Sequence, residues 1–417
     1  MLKFQTKQFD NGLKLITAPM DSTEAVTILI LVKIGGRYET AKQAGISHFL
    51  EHLFFKGSKK MPTALEIAKA FDGLGANYNA FTGEEYTGFY VQSGAKDFLV
   101  ALDLLSDMFL NPIFPEEEVE REKGVILEEA NMRRDVPQIH VQSLIQDQVF
   151  PDSALGRELI GTPETIKAIK REDIVKYFKQ NYVPSATTIV VCGNTNGVDW
   201  EKEIAAKFMA YPSGQKGDFT KFDSSVSAKK LFSEQRKIDQ AHLVCAYRTF
   251  ALNDSRRYAL SLLSSILGGG MSSRLFTEIR EKRGLAYYVK SDVSAFTDTG
   301  MISFSAGVKQ DKFDEVIKLI FAETADLAAN GPTKEELDRA KKNFRGKIAL
   351  SLEGSFEIAE FLAEEAFYEK IIRQPEDIIR EIEAVTVEQI KQLSKEIFQT
   401  ENCSIAVVGP QKYAVPE

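Results

Sequence analysis

The sequence predicts an α+β protein of two homologous domains, each a mixed, mostly antiparallel β-sheet with helices packed on one face. Three observations predict it. Strand-like apolar runs alternate with long amphipathic segments in both halves. Landmarks recur at one spacing: the runs AVTILILV from Ala25 and AHLVCAY from Ala241 begin 216 residues apart, and the helix-to-strand segments closing at Gly193 and Gly409 end 216 residues apart. Equal offsets at both ends of a unit mark a duplication. Between the repeats lies a stretch rich in Gly, Ser, Lys and Asp. It serves as a linker over 213–227 and leaves domains at 1–212 and 228–417.

Composition narrows the classes of function. The 417 residues carry a net charge of −8, with 44% hydrophobic and 27% charged residues, and the pI is about 5.4. That balance suits a globular protein with large cores. No Lys/Arg block stands out, which excludes a nucleic-acid or acidic-membrane partner. No apolar run approaches the ~18 residues of a membrane span. The N-terminus MLKFQTKQFDNGLKLITAP lacks the apolar core of a signal peptide, so a cytoplasmic location is expected. Cys192, Cys245 and Cys403 each lie in or beside a strand-like run with no CxxC pair, the pattern of buried free thiols.

In chain order, Phe4 to Phe9 and Leu13 to Ala18 flank Asp10-Asn11-Gly12, a hairpin turn signal. Ala25 to Val32 reads as a strand. Ile46, Phe49, Leu50, Leu53 and Phe54 then follow i, i+3, i+4, i+7, i+8, the apolar stripe of a helix that Gly57 can stop. The run GANYNAFTGEEYTGFYVQS is rich in β-formers. Pro115 to Arg134 begins with Pro and three glutamates and ends with two arginines, a polarity that complements a helix dipole. In the second half, Thr333 and Glu336 form a capping box.

The chemistry concentrates in His48-Phe49-Leu50-Glu51-His52, which holds two of the four histidines. On a helix, positions i, i+3 and i+4 neighbour one another, so His48, Glu51 and His52 share a face beside the apolar stripe. Two neutral imidazoles suit a divalent transition metal, zinc above all, and a carboxylate beside them suits proton transfer from water. The repeat offset carries His48 and His52 to Ser264 and Gly268, so the second half holds no equivalent ligands. Catalytic zinc commonly has three protein ligands. The acidic helix offers Glu122 and Glu129, nearly two turns apart on one face, with Glu128 beside them on another; composition does not choose among them.

HFLEH followed by FFKG, then NAFT, then EREKGVILEE resembles the pitrilysin, insulin-degrading and mitochondrial processing peptidase family, whose inverted H-x-x-E-H motif binds zinc. The resemblance spans nearly the whole chain and implies the processing-peptidase-like metallohydrolase fold. It implies His48, His52 and Glu129 as zinc ligands, Glu51 as the catalytic base and Glu122 as the residue orienting a ligand. It also implies Asn79, Ala80 and Phe81 as a substrate-binding edge strand. In the second half, SRLFTEIREKRGLAY resembles the family segment whose arginine and tyrosine contact substrate and oxyanion, here Arg280 and Tyr287. The glycine-rich loop that some members extend is only Gly268-Gly269-Gly270, which argues against a targeting-sequence specificity. The function implied is a zinc endopeptidase acting on extended or unfolded peptides. Family members close two halves of two repeats each around the substrate. One chain supplies one half, so a homodimer is expected, with a heterodimer as the alternative. A non-catalytic core-like subunit is the rival function, and the intact zinc box argues against it.

Overall fold

A computed structural model describes residues 1–369 and 371–414. The chain forms two compact units, each drawing on both halves of the sequence. The first takes Met1–Ala130, Glu158–Thr220 and Ala349–Gln374; the second takes Asn131–Arg157, Lys221–Ile348 and the chain from Pro375 onward.

The first unit is built on a six-stranded sheet of β1 (Gln5–Gln8), β2 (Lys14–Pro19), β3 (Ala25–Val32), β4 (Asn77–Thr82), β5 (Thr87–Gly94) and β6 (Thr187–Gly193), in the order β1-β2-β6-β3-β5-β4. All neighbours are antiparallel except β2 and β6. The predicted N-terminal hairpin is present as β1 and β2, turning at Gly12 with φ +93°. On one face Val26, Ile28, Ile30 and Val32 of β3 join Ile189 and Val191 of β6 against helices Ile46–Leu53, Phe98–Leu110, Arg171–Asn181 and Trp200–Phe208. On the other face Leu29 and Leu31 meet Ile358, Ala359, Leu362 and Ala363 of helix Ser355–Tyr368.

The second unit repeats the plan with β7 (Leu231–Gln235), β8 (Gln240–Thr249), β9 (Ala286–Ala295), β10 (Gly300–Lys309) and β11 (Ser404–Gly409), in the order β7-β11-β8-β10-β9. Again one pair, β7 with β11, is parallel. Each of these strands has its counterpart at the same place in the first sheet, and β1 has none. Val141, Ile145 and Val149 of helix Pro137–Val149 pack here against Val244, Ala246, Ala406 and Val408.

Helices on one face of each sheet were expected and are present. The opposite face of each sheet carries a single helix from the other half of the sequence. For this reason the contiguous domains 1–212 and 228–417 differ from the observed units, which exchange 131–157 and 349–374. The linker expected at 213–227 is also pinned on both of its sides. Within the first unit Phe219 stacks under the Arg37 guanidinium, 4.1 Å away; within the second, Phe222 stacks under that of Arg248, 4.5 Å away. Apolar and cation–π contact holds these ring positions where composition suggested a loose tether. All three cysteines are buried and free.

Candidate metal centre

Helix Ile46–Leu53 is held at its N-terminus and along one side. Its N-cap, Gly45, has φ +95°, and a Cβ there would lie 2.6 Å from the Ile160 carbonyl oxygen, so only glycine fits. The buried Glu39 carboxylate accepts hydrogen bonds from the Gly45 and Ser47 backbone N–H groups, each 2.8 Å long. It satisfies donors that a helix start leaves open and complements the helix dipole. Ile46, Phe49, Leu50, Leu53 and Phe54 are fully buried, each contributing about 1.5–3 kcal/mol. The apolar stripe anchors the helix, and the polar face carries His48, Glu51 and His52.

Helix Glu116–Asp135 faces them. His48, His52 and Glu129 each offer a donor atom, and the three atoms lie within 4.8 Å of one another, the only such group of potential ligands among the described residues. The Glu129 carboxylate oxygen Oε2 is 3.6 Å from His48 Nε2 and 3.5 Å from His52 Nε2. Glu128 is exposed and outside the group, which resolves the choice between adjacent glutamates. Glu122, one helical face with Glu129, is buried and lies 2.8 Å from His52 Nδ1. That contact leaves His52 Nε2 toward Glu129 and fixes the ring.

Two further residues complete the cluster. Lys56 Nζ sits 2.7 Å from Glu122 Oε2, and the Thr82 hydroxyl donates to Glu51 Oε2 across 2.6 Å. Sequence reasoning did not name Lys56, and took Thr82 only as the end of the NAFT edge strand. Lys56 follows His52 by four residues, a spacing that could have pointed to it; Thr82 closes the NAFT run and carried no signal of its own beyond that.

Charge balance explains the titration behaviour. Burial disfavours the His52 imidazolium, but hydrogen bonds to Glu122 and Glu129 outweigh it, and the pKa rises from 6.5 to about 9. Burial would raise Glu122, yet His52 and Lys56 together hold its carboxyl below the usual range. Glu51 is raised, chiefly by burial, with the Thr82 hydrogen bond opposing. Carboxylates thus lie beside both imidazoles and favour positive charge at this point.

Asn79, Ala80 and Phe81 lie on β4, an edge strand that pairs only with β5 among the described residues. Phe81 turns its ring over Gly88, where a Cβ would meet it at 2.1 Å. Arg280 and Tyr287 come together in the second unit. Arg280 lies on a π-helical stretch, Phe276–Glu281, a rare form often found at functional positions. Its guanidinium stacks 4.9 Å from the Phe276 ring and 5.5 Å from that of Tyr287, which is the second residue of the edge strand β9 and is 75% exposed. At the positions equivalent to the histidines, the Ser264 hydroxyl meets that of Ser291 at 2.8 Å, and Gly268 allows β9 so close that a Cβ would lie 2.4 Å from Ser291 N. Small side chains there pack a helix onto a strand where the first unit gathers His48, His52 and Glu129.

A duplicated α+β framework with an inverted H-x-x-E-H cluster on one repeat defines the class of inverted-motif metallopeptidases in fold and residue set. Similarity to known proteins specifies the class further. The family model "Insulinase (Peptidase family M16)" matches residues 15–163, and "Peptidase M16 inactive domain" matches 168–344, from the end of the first repeat through much of the second. An uncharacterized zinc protease of Bacillus subtilis, YmxG, is 32% identical over 410 residues, spanning 98% of each chain. Another, SCO5738 of Streptomyces coelicolor, is 33% identical over 96% of this chain and 88% of its own. The chain belongs to peptidase family M16. The same fold occurs in the crystal structure of a protease from Helicobacter pylori, with TM-score 0.88, 23% identity and coverage of 98% of this chain and 100% of that one. It occurs also in a peptidase M16 inactive domain from Pseudomonas fluorescens, with TM-score 0.90, 22% identity and complete coverage of both.

Proposed function

We propose that this protein is a zinc-dependent endopeptidase that cleaves extended or unfolded peptides. The observation that carries the reading is the convergence of His48, His52 and Glu129 within 4.8 Å, with Glu51 on the same helix face. Two imidazole nitrogens and one carboxylate oxygen are the donor set of a catalytic zinc that keeps a position open, and the raised His52 pKa marks a site that favours positive charge. His48, His52 and Glu129 would hold the ion, which supplies Lewis-acid polarisation of a carbonyl and acidification of water.

The chain's own groups do the rest. Glu122 keeps His52 in the tautomer that presents Nε2. Glu51 accepts a proton from the attacking water and passes it to the leaving amine. The free edge of β4 takes the substrate backbone as an added strand, so recognition rests on main-chain hydrogen bonds and favours unfolded segments. Tyr287, with Arg280 beside it, is the donor assigned to the oxygen on which negative charge develops. Two copies of the chain would form the substrate chamber.

A mixed library of fluorogenic peptides, with and without a chelator, tests this. Cleavage should depend on zinc. Glu51→Gln should keep its zinc and lose about 10²–10⁴-fold in kcat, the range for a positioned acid–base group. A Glu51→Gln protein that cleaves as fast as the parent would refute the mechanism, and a zinc-loaded parent that cleaves nothing would favour the core-like subunit.

A further inference from the structure

We infer that Thr82 is the positioning residue of the proton acceptor, its hydroxyl on the last residue of the docking strand holding the Glu51 carboxylate in register for proton transfer. The inference rests on the peptidase reading above.

The geometry carries it. Thr82 Oγ1 donates to Glu51 Oε2 at 2.6 Å, the only hydrogen bond to that carboxylate among the described residues. A glutamate carboxyl turns about a broad, roughly two-fold terminal torsion, so packing alone orients it weakly. A hydrogen bond to one oxygen removes that freedom and leaves Oε1 to take the proton. Thr82 is itself well fixed. It pairs with Thr87 across β4 and β5, and a β-branched side chain has a stiff χ1. The anchor of the base is therefore the sheet, and specifically the strand whose free edge would receive the peptide. A peptide added to β4 stiffens the segment that aims Glu51, which links docking to chemistry: a disturbance at Thr82 enters as a loss in kcat.

The variants Thr82→Val, which keeps the shape and β-branching and removes the hydroxyl, and Thr82→Ser, which restores the hydroxyl, separate orientation from packing. Two readouts are taken. In peptide cleavage by the zinc-loaded protein, Thr82→Val should lose on the order of 10–100-fold in kcat through misalignment. Its KM should stay within about twofold, and Thr82→Ser should recover to within about threefold of the parent, because the orienting bond is retained. In the cobalt-substituted protein, Thr82→Val should shift the visible absorption bands, and the shift should vanish in a Glu51→Ala background.

The inference is overturned if Thr82→Val keeps the parent's kcat, if Thr82→Ser falls as far as Thr82→Val, or if the loss is confined to KM. It is equally overturned if the cobalt bands do not move, or move as much without the Glu51 carboxylate. Failure of the peptidase reading looks different: no zinc-dependent cleavage by the parent, or Glu51→Ala as active as the parent. In that event the cobalt spectra still decide whether Thr82 orients Glu51.

Discussion

His52 is the residue whose surroundings say most about the site. Its Nδ1 is tied to Glu122 and its Nε2 faces Glu129. Lys56 balances Glu122 from the far side. Without metal the pKa of about 9, against 6.5 ordinarily, means that His52 is protonated at neutral pH. Zinc needs the neutral ring, so binding must expel that proton. The apparent zinc affinity should therefore rise about tenfold per pH unit between roughly pH 7 and 9 and level off above; competition against a chromophoric chelator measures it, and a flat profile would contradict it. The sign for the metal-free protein is opposite. A raised pKa contributes stability that is complete below about pH 6.5 and is lost as pH climbs through about 9. Of these residues, His48, Glu51 and His52 are legible from spacing alone, because a helix fixes what lies three and four residues apart. Glu129 needed the family resemblance to be told from Glu128. Thr82, 31 positions from Glu51, escapes any local rule, since only the folded sheet brings it there.

At the scale of elements, the ligand helix depends on what caps it. Gly45 meets the Gly161 segment so closely that each would drive a Cβ into the other's backbone. Gly45→Ala should cost about 1–3 kcal/mol from its left-handed backbone conformation alone. Displacement of Ile160 and Gly161 adds to that. The urea midpoint should fall and zinc affinity with it, because the helix start sets the position of His48; an unchanged midpoint would contradict this role of the cap. The helices that the units exchange show where local sequence rules stop. Helix Pro137–Val149 is not singled out by the sequence, and its buried Val141, Ile145 and Val149 do not say which sheet they cover. One signal is present. The run AVTILILV of β3 is apolar without alternation, which is how a strand buried on both faces reads. A strand with helices on one face only would alternate with polar residues, so this run implies a second helical layer that the one-face expectation lacks.

At the scale of the whole molecule, the duplication explains both what the chain keeps and what it lacks. Both repeats keep the five-strand order, down to the single parallel pair. The 216-residue offset is the trace of this order in the sequence. The residues differ on the shared frame: His48 and His52 on one repeat, Ser264 and Gly268 at the matching places of the other. Among the described residues, no helix is long and apolar enough to cross a membrane. If two copies form the proposed chamber, sedimentation of the zinc-loaded protein should give about twice the 46.6 kDa chain mass, and a strictly monomeric active enzyme would contradict the chamber.

Under the proposed function, His48, His52 and Glu129 hold one zinc ion together. The most direct test is an anomalous difference map at the zinc absorption edge from crystals of the zinc-loaded protein. The predicted result is one peak per chain, about 2.0–2.2 Å from a nitrogen of each imidazole and from a Glu129 oxygen, which disappears in Glu129→Ala crystals grown at limiting zinc. A map with no peak between those three side chains, or with the zinc bound elsewhere, would contradict it.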